Sequence, residues 1–294
     1  VTKPRYLPYT PPYDWGWMNS FLGARALAGV EQMVDGFYQR TLVVESETGA
    51  IAGWLRLRPL PERNCVELSL SPSLEPVAER VERQVSLLLD LDADPHLIAA
   101  GLGELAQNNV GLRLPGCINR FELTVRAILG QLVSVKMAAT LATRLTQNWG
   151  EVIDTPFAGL THLFPTPERI AQLSVDDLRG IGVQAKRAAC LIGVAKAVEE
   201  GSLPLNNMQD VTQGVKQLLA MPGIGGWTAS YIAMRAWSAP DVFLGGDYLI
   251  KQRFPNMTPG KIARYAQRWQ PWRTYATLHL WANNDFIPEE EAQG

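Results

Sequence analysis

The stretch Leu218-Leu-Ala-Met-Pro222-Gly223-Ile224-Gly225-Gly226-Trp227-Thr228-Ala229 joins two helices through a turn built on glycine. Apolar spacing predicts a helix over 211–219, Pro222 stops it, and a second helix opens near Trp227. Glycine permits positive φ and lets another backbone come close. The first amide N–H groups of the second helix point outward along the positive end of its dipole, so the turn can hold a phosphate without a lysine. A fainter copy, Leu178-Arg-Gly180-Ile181-Gly182-Val-Gln-Ala-Lys186, reads rather as a plain connection between helices.

About twenty residues on, the apolar run Val242-Phe-Leu meets Gly245-Gly246-Asp247-Tyr248 and then a helical pattern. Asp247 is a natural N-cap for that helix. Capping and catalysis are compatible roles, because a cap holds a carboxylate at a helix start where it can also face a cleft. Five of the nine tryptophans lie beyond residue 226 (Trp227, Trp237, Trp269, Trp272 and Trp281), with Tyr231, Tyr248, Tyr265 and Tyr275 among them. Most belong to a core. A subset lining a slot would suit a flat, π-bearing ligand such as a flipped base.

Outward from this region the pattern is helical from residue 120 to the C-terminus. Apolar, alanine-rich runs cover 121–129 and 132–149. Thr166-Pro and the capping-box variant Ser174-Val-Asp-Asp mark helix starts, Gly201 ends a helix over 186–200, and Thr258-Pro opens another running to about residue 269. The first ninety-odd residues read as α+β. A helix is expected over 17–28, strands over 41–44, 51–57 and 66–70, and a helix over 76–91. Together these suggest a small antiparallel sheet.

The chain has 294 residues and a formal net charge of −2, ordinary globular values that exclude disordered, collagenous and coiled-coil proteins. The sum argues mildly against a non-specific nucleic-acid coat, but it hides an uneven distribution. Residues 1–95 carry 9 basic and 13 acidic side chains, and residues 113–237 carry 12 and 9. Cys65, Cys117 and Cys190 are too far apart for a disulfide framework or a cysteine-ligated cluster. With no apolar run of membrane length and no signal-peptide core, a reducing cytosolic setting is expected.

Together the hairpin and Asp247 resemble the helix-hairpin-helix DNA glycosylases. Residues 11–26, 111–134, 221–237 and 243–255 are similar above all to the bacterial 3-methyladenine DNA glycosylase II family. The resemblance implies a mostly α fold of three units around a cleft. These are an N-terminal α+β domain with an antiparallel sheet (1–95), a helical domain carrying the hairpin (113–237), and a second helical domain drawn from 96–112 plus 238–294. It implies Asp247 as the catalytic carboxylate, Leu132 as a wedge into the duplex, and Phe21, Trp227, Tyr231, Tyr248 and Trp281 as a base pocket. Phosphate binding falls to Pro222, Gly223, Ile224, Gly225, Gly226 and Thr228. The carbonyls of Leu219, Met221 and Ile224 would hold Na+ or K+, and catalysis needs no cofactor. Trp227 stands where bifunctional relatives carry a lysine, so a monofunctional enzyme without lyase activity is expected. Lys251 is expected to reach outward to phosphate. Gly246 departs from the second acid often found there. The implied partner is double-stranded DNA containing alkylated bases, acted on by a monomer at the bacterial nucleoid. The alternative is a non-catalytic damage-binding protein.

Overall fold

The computed structural model describes residues 2–289; Val1 and residues 290–294, the ends of the first and third expected units, lie outside it. Among the described residues the N-terminal part holds β1 (Arg5–Pro8), α1 (Trp15–Ala24), β2 (Glu31–Val34), β3 (Phe37–Ser46), β4 (Gly49–Leu60), β5 (Cys65–Leu70) and α2 (Ala78–Leu89). The strands form one antiparallel sheet in the order β1-β5-β4-β3-β2. β1 and β2 escape the sequence reading. Both are four residues long, too short for a periodicity signal. The β2–β3 turn nonetheless carries a legible mark: Asp35-Gly36 lies between paired Val34 and Phe37, with both residues at positive φ as a type I′ hairpin requires.

Several boundaries differ from expectation for local reasons. α1 begins at Trp15 because the Asp14 side chain accepts from Trp17 N at 2.9 Å. It ends at Ala24, and the residues after it tighten into i→i+3 turns (Arg25 N to Leu22 O, Ala26 N to Gly23 O) rather than running on to residue 28. The helix expected over 76–91 is a 3-10 segment, Pro72–Val77, followed by α2. Pro76 has no N–H for an α-helical bond, and Asp90 at φ 55 closes the other end.

The remaining helices are α3 (Pro95–Leu102), α4 (Arg120–Leu129), α5 (Val135–Trp149), α6 (Pro167–Ala171), α7 (Val175–Arg179), α8 (Ala185–Glu200), α9 (Val211–Leu219), α10 (Gly226–Ala236), α11 (Tyr248–Arg253), α12 (Pro259–Ala266) and α13 (Arg273–Ala282). The caps at Thr166, Ser174 and Gly201 stand as read. α5 starts at Val135, not at 132, because Leu132 takes φ +60 and Ser134 caps the helix. α12 ends at Ala266, and a 3-10 turn completes the run to Trp269.

Three hydrophobic cores organise these elements. The first joins the sheet to α1 and α2 and recruits Ile118. The second joins α4–α10 and recruits Leu27 and Val30 from the N-terminal part. The third joins α3 to α11–α13 and recruits Met234 from α10. Each fully buried Leu, Ile or Val contributes about 1.5–3 kcal/mol. The recruits stitch the cores together.

A buried charge cluster seals the first two cores against each other. Arg40 on β3 forms a fork on Glu122 of α4 at 2.8 and 3.2 Å. Arg126 reaches Glu31 at 2.7 Å, and Tyr38 donates to the same carboxylate. Burial pushes the Glu31 carboxyl up, but Arg126 and Arg40 outweigh it and hold it below the usual range. A second junction ties the first part to the third core. Arg113, 1% exposed, donates to the carbonyls of Asp90 and Pro12 at 2.8 and 3.1 Å. The Asp90 carboxylate accepts from Leu114 N at 3.0 Å and from the Tyr275 hydroxyl at 2.7 Å.

Candidate active site

A cleft of about 970 Å³ opens where the three cores meet, lined by residues of α1, α4, α10, α11 and α13. Asp247 lies in it. As N-cap of α11 its Oδ2 accepts from Leu249 N and Ile250 N at 3.1 and 3.2 Å. Two indoles, from helices far apart in sequence, complete its shell. Trp227 Nε1 donates to Oδ1 at 3.1 Å and Trp281 Nε1 donates to Oδ2 at 3.0 Å. The carboxylate is therefore both the cap and a fixed group in the cleft. Oδ2 takes three of the four bonds, which leaves Oδ1 the less occupied oxygen.

Phe21, Trp227, Tyr231, Tyr248, Trp281 and Leu132 all line this cleft. Trp227 stacks on Tyr231 at 4.9 Å. Tyr248 is 74% exposed at the mouth, and Leu132 is 99% exposed at the rim. Of the hairpin, Gly223, Gly225, Gly226 and Thr228 reach the cleft. Pro222 is exposed, and the Ile224 side chain is buried in the second core, so Ile224 can offer only its backbone. Leu219 and Met221 lie outside the cleft lining, at the carbonyl end of α9, where helix C=O groups lack intrahelical partners. Gly246 is not dictated by packing: a Cβ there meets nothing within 4 Å, so relatives' second acid would fit.

Residues 125–277 match the family described as HhH-GPD superfamily base excision DNA repair protein. The chain belongs to that superfamily. Residues 5–119 match the AlkA N-terminal domain. The chain is 48% identical to the DNA-3-methyladenine glycosylase 2 of Escherichia coli, over 97% of this chain and 99% of that protein. It is 33% identical to a probable bifunctional transcriptional activator/DNA repair enzyme AlkA of Mycobacterium tuberculosis, spanning 97% of this chain and 59% of that longer protein. The solved 3-methyladenine DNA-glycosylase of Archaeoglobus fulgidus superposes with a TM-score of 0.80 at 20% identity, covering 95% of this chain and 97% of that one, a likeness of fold.

This HhH-GPD cleft also holds residues that sequence reasoning missed. Trp17 stacks on Phe21 at 5.2 Å, and the Arg25 guanidinium lies 3.6 Å from the Phe21 ring centroid. Positions 17, 21 and 25 share one helical face, which was the available signal. Arg235 fixes the Tyr231 hydroxyl from 3.0 Å. Burial pushes the Tyr231 phenol up, but Arg235 and Arg25 outweigh it and lower it. Cys117 also lines the cleft, and burial raises its thiol to about 11, which keeps it from acting as a thiolate nucleophile near pH 7.

The helix that delivers Trp281 carries a pH liability. His279, 5% exposed on α13, is pushed by burial down to about 4. Between that value and the unfolded value of about 6.5, the unfolded chain binds more protons. Stability is therefore full above about pH 6.5 and falls as pH drops toward 4, by about 3 kcal/mol in all. Urea midpoints measured from pH 7 to pH 4 should show this decline, and His279→Leu should flatten it. An unchanged slope in that variant would remove His279 as the cause.

Proposed function

We propose that this chain is a monofunctional DNA glycosylase that excises alkylated bases, 3-methyladenine and related alkylpurines, from double-stranded DNA by base flipping and hydrolysis of the N-glycosidic bond. The observation that carries this reading is the Asp247 carboxylate, pinned by two indole N–H groups in an aromatic cleft whose lining also includes the exposed Leu132. A flipped base enters between aromatic faces, and a purine alkylated at N3 or N7 is cationic and is drawn to electron-rich rings by about 0.5–2 kcal/mol per contact. The same positive charge makes the base a good leaving group. What the site must add is stabilisation of an oxocarbenium-like sugar and orientation of water. Oδ1 of Asp247, with one protein partner, is the oxygen free to do both.

A non-catalytic damage-binding protein has no use for this arrangement. A carboxylate facing the phosphate backbone opposes binding, and two tryptophans spent on orienting it are explained by chemistry. No lysine lines the cleft among the described residues, and Lys251 is exposed on α11 outside it, so no amine stands where a Schiff base would form. Incubating the protein with methylated duplex and assaying for free bases tests the proposal. Release of 3-methyladenine with an intact abasic strand is expected. Tight binding without release would favour the binding module, and a nicked strand would overturn the monofunctional assignment.

For the hairpin, Gly225 is the N-cap of α10, but neither strained backbone nor packing demands glycine there or at 226. Neither residue has positive φ, and a Cβ at either meets nothing within 4 Å. Approach of a phosphate to bare amides at the start of α10 accounts for them. The carbonyls of Leu219, at the end of α9, and of Met221 and Ile224, in the turn that follows, suit a hard monovalent cation such as Na+ or K+ as neutral oxygens. The Met221 carbonyl already accepts from Ile224 N at 3.2 Å, so the ion would be an added partner there. With amides doing the gripping, few phosphates are neutralised by side chains. A plot of log K against log salt for damaged duplex should be shallower than about −4, the slope for roughly four phosphates; a steeper slope counts against a grip by backbone amides. The enzyme acts as a monomer on nucleoid DNA in the cytoplasm.

A further inference from the structure

The loop between α4 and α5 presents Leu132, and three features pin it. On the α4 side, Gly130 N and Gln131 N donate to the carbonyls of Arg126 and Ile128 at 2.9 and 3.2 Å. On the α5 side, Ser134 Oγ accepts from Met137 N at 3.0 Å. Between them Leu132 sits at φ +60, a conformation unfavourable for a residue with a bulky side chain, and so it persists only if its neighbours hold it. The third pin crosses to the hairpin. Gln131 Nε2 donates to Thr228 Oγ1 at 3.0 Å and to the Gly223 carbonyl at 3.4 Å. Both anchors are rigid. Thr228 is buried in the first turn of α10. Gly223 has φ +95 and is packed so tightly that a Cβ would come within 2.9 Å of the Cys190 Cβ.

We propose that Gln131 is the positioning residue that couples the phosphate-holding hairpin to the wedge. Its amide latches the loop onto Gly223 and Thr228, so that the hairpin and Leu132 meet the DNA as one rigid unit. When the hairpin takes a phosphate of the lesion strand, Leu132 is already at a fixed offset along the base stack. The wedge enters without a separate search, and the cost of holding Leu132 at positive φ is met before DNA arrives. The adjoining cleft receives the nucleotide that the wedge displaces. The inference rests on the reading of Leu132 as the wedge, and the test separates the two.

Gln131→Met keeps the shape of the side chain and removes the donor. Single-turnover excision is measured on one methylpurine, in paired duplex and in single strand, for Q131M, L132A, the double variant and the unaltered protein. Q131M is expected to slow duplex excision about fivefold to tenfold, the size of one lost hydrogen bond, with single-strand excision unchanged and the melting temperature lowered by no more than about 4 °C. On the L132A background Q131M should add nothing, because the latch acts only through the wedge. Slowing that multiplies with L132A, or that is equal in single strand and duplex, overturns the latch while leaving the wedge in place. An L132A variant that excises from duplex at the full rate overturns the wedge reading itself, and the latch with it.

Discussion

In Asp247→Asn, single-turnover release of a methylpurine falls by about 10³-fold, while damaged duplex still binds. The charge that stabilises the developing sugar cation is gone, and the other carboxylates lining the cleft, Glu31 and Glu122, are neutralised by Arg126 and Arg40. The substitution also disturbs the shell in a way the geometry specifies. If the amide oxygen keeps the Oδ2 position, with Leu249 N, Ile250 N and the Trp281 indole as donors, its NH₂ must face the Trp227 indole N–H. Two donors then oppose each other, and Trp227 must turn away from its stack on Tyr231. A change in tryptophan fluorescence should therefore accompany the loss of rate. Binding should hold or tighten, since a negative charge has left a surface that meets phosphate. Excision at an unaltered single-turnover rate would remove Asp247 from the mechanism.

The second large effect is on stability. Arg40→Met leaves Glu122, 4% exposed, with only Arg126 at 3.4 Å. Removing one member of a buried pair strands the other charge and costs about 3–5 kcal/mol. That is a large share of a typical domain's total of about 5–15 kcal/mol. A fall in melting temperature of about 10 °C is expected. The double variant Arg40→Met, Glu122→Leu should recover most of it, because two apolar side chains of similar size fill the space without an unpaired charge. If the double variant melts as low as the single one, shape rather than charge governs this junction. Glu122 lies on α4, which leads directly into the wedge loop, so excision in the single variant should suffer as well.

The main elements were legible because their signals are local. Caps at Thr166, Ser174 and Gly201, the Pro-Gly-Ile-Gly turn and the short strand-like runs within β3, β4 and β5 each lie within a few residues of sequence. The misses are also local in origin. β1 and β2 are too short to show a period. Pro76 sits where an apolar pattern continues but an α-helical hydrogen bond cannot. Leu132 looks helical by composition, and only its neighbours hold it at positive φ. At the site, the resemblance named Asp247 and the aromatic residues that line the cleft. Gln131 went unread because its partners lie 92 and 97 residues away, and Trp17, Arg25 and Arg235, each paired with a residue four positions off, because helical spacing alone does not say which face lines the cleft.

The sequence by itself determined the hairpin, the helix-capping aspartate, the α+β beginning and the helical remainder, since each depends on bonds and periodicities between near neighbours. Only the tertiary structure decided which of those pieces meet. It brought Trp227 and Trp281, 54 residues apart, onto opposite oxygens of Asp247. It buried Arg40 against Glu122 across 82 residues, and it carried the Gln131 amide across to a hairpin 92 residues away. Hydrogen bonds and ion pairs of this kind depend on distances of about 3 Å set by the packing of three cores, and no pattern along the chain encodes them.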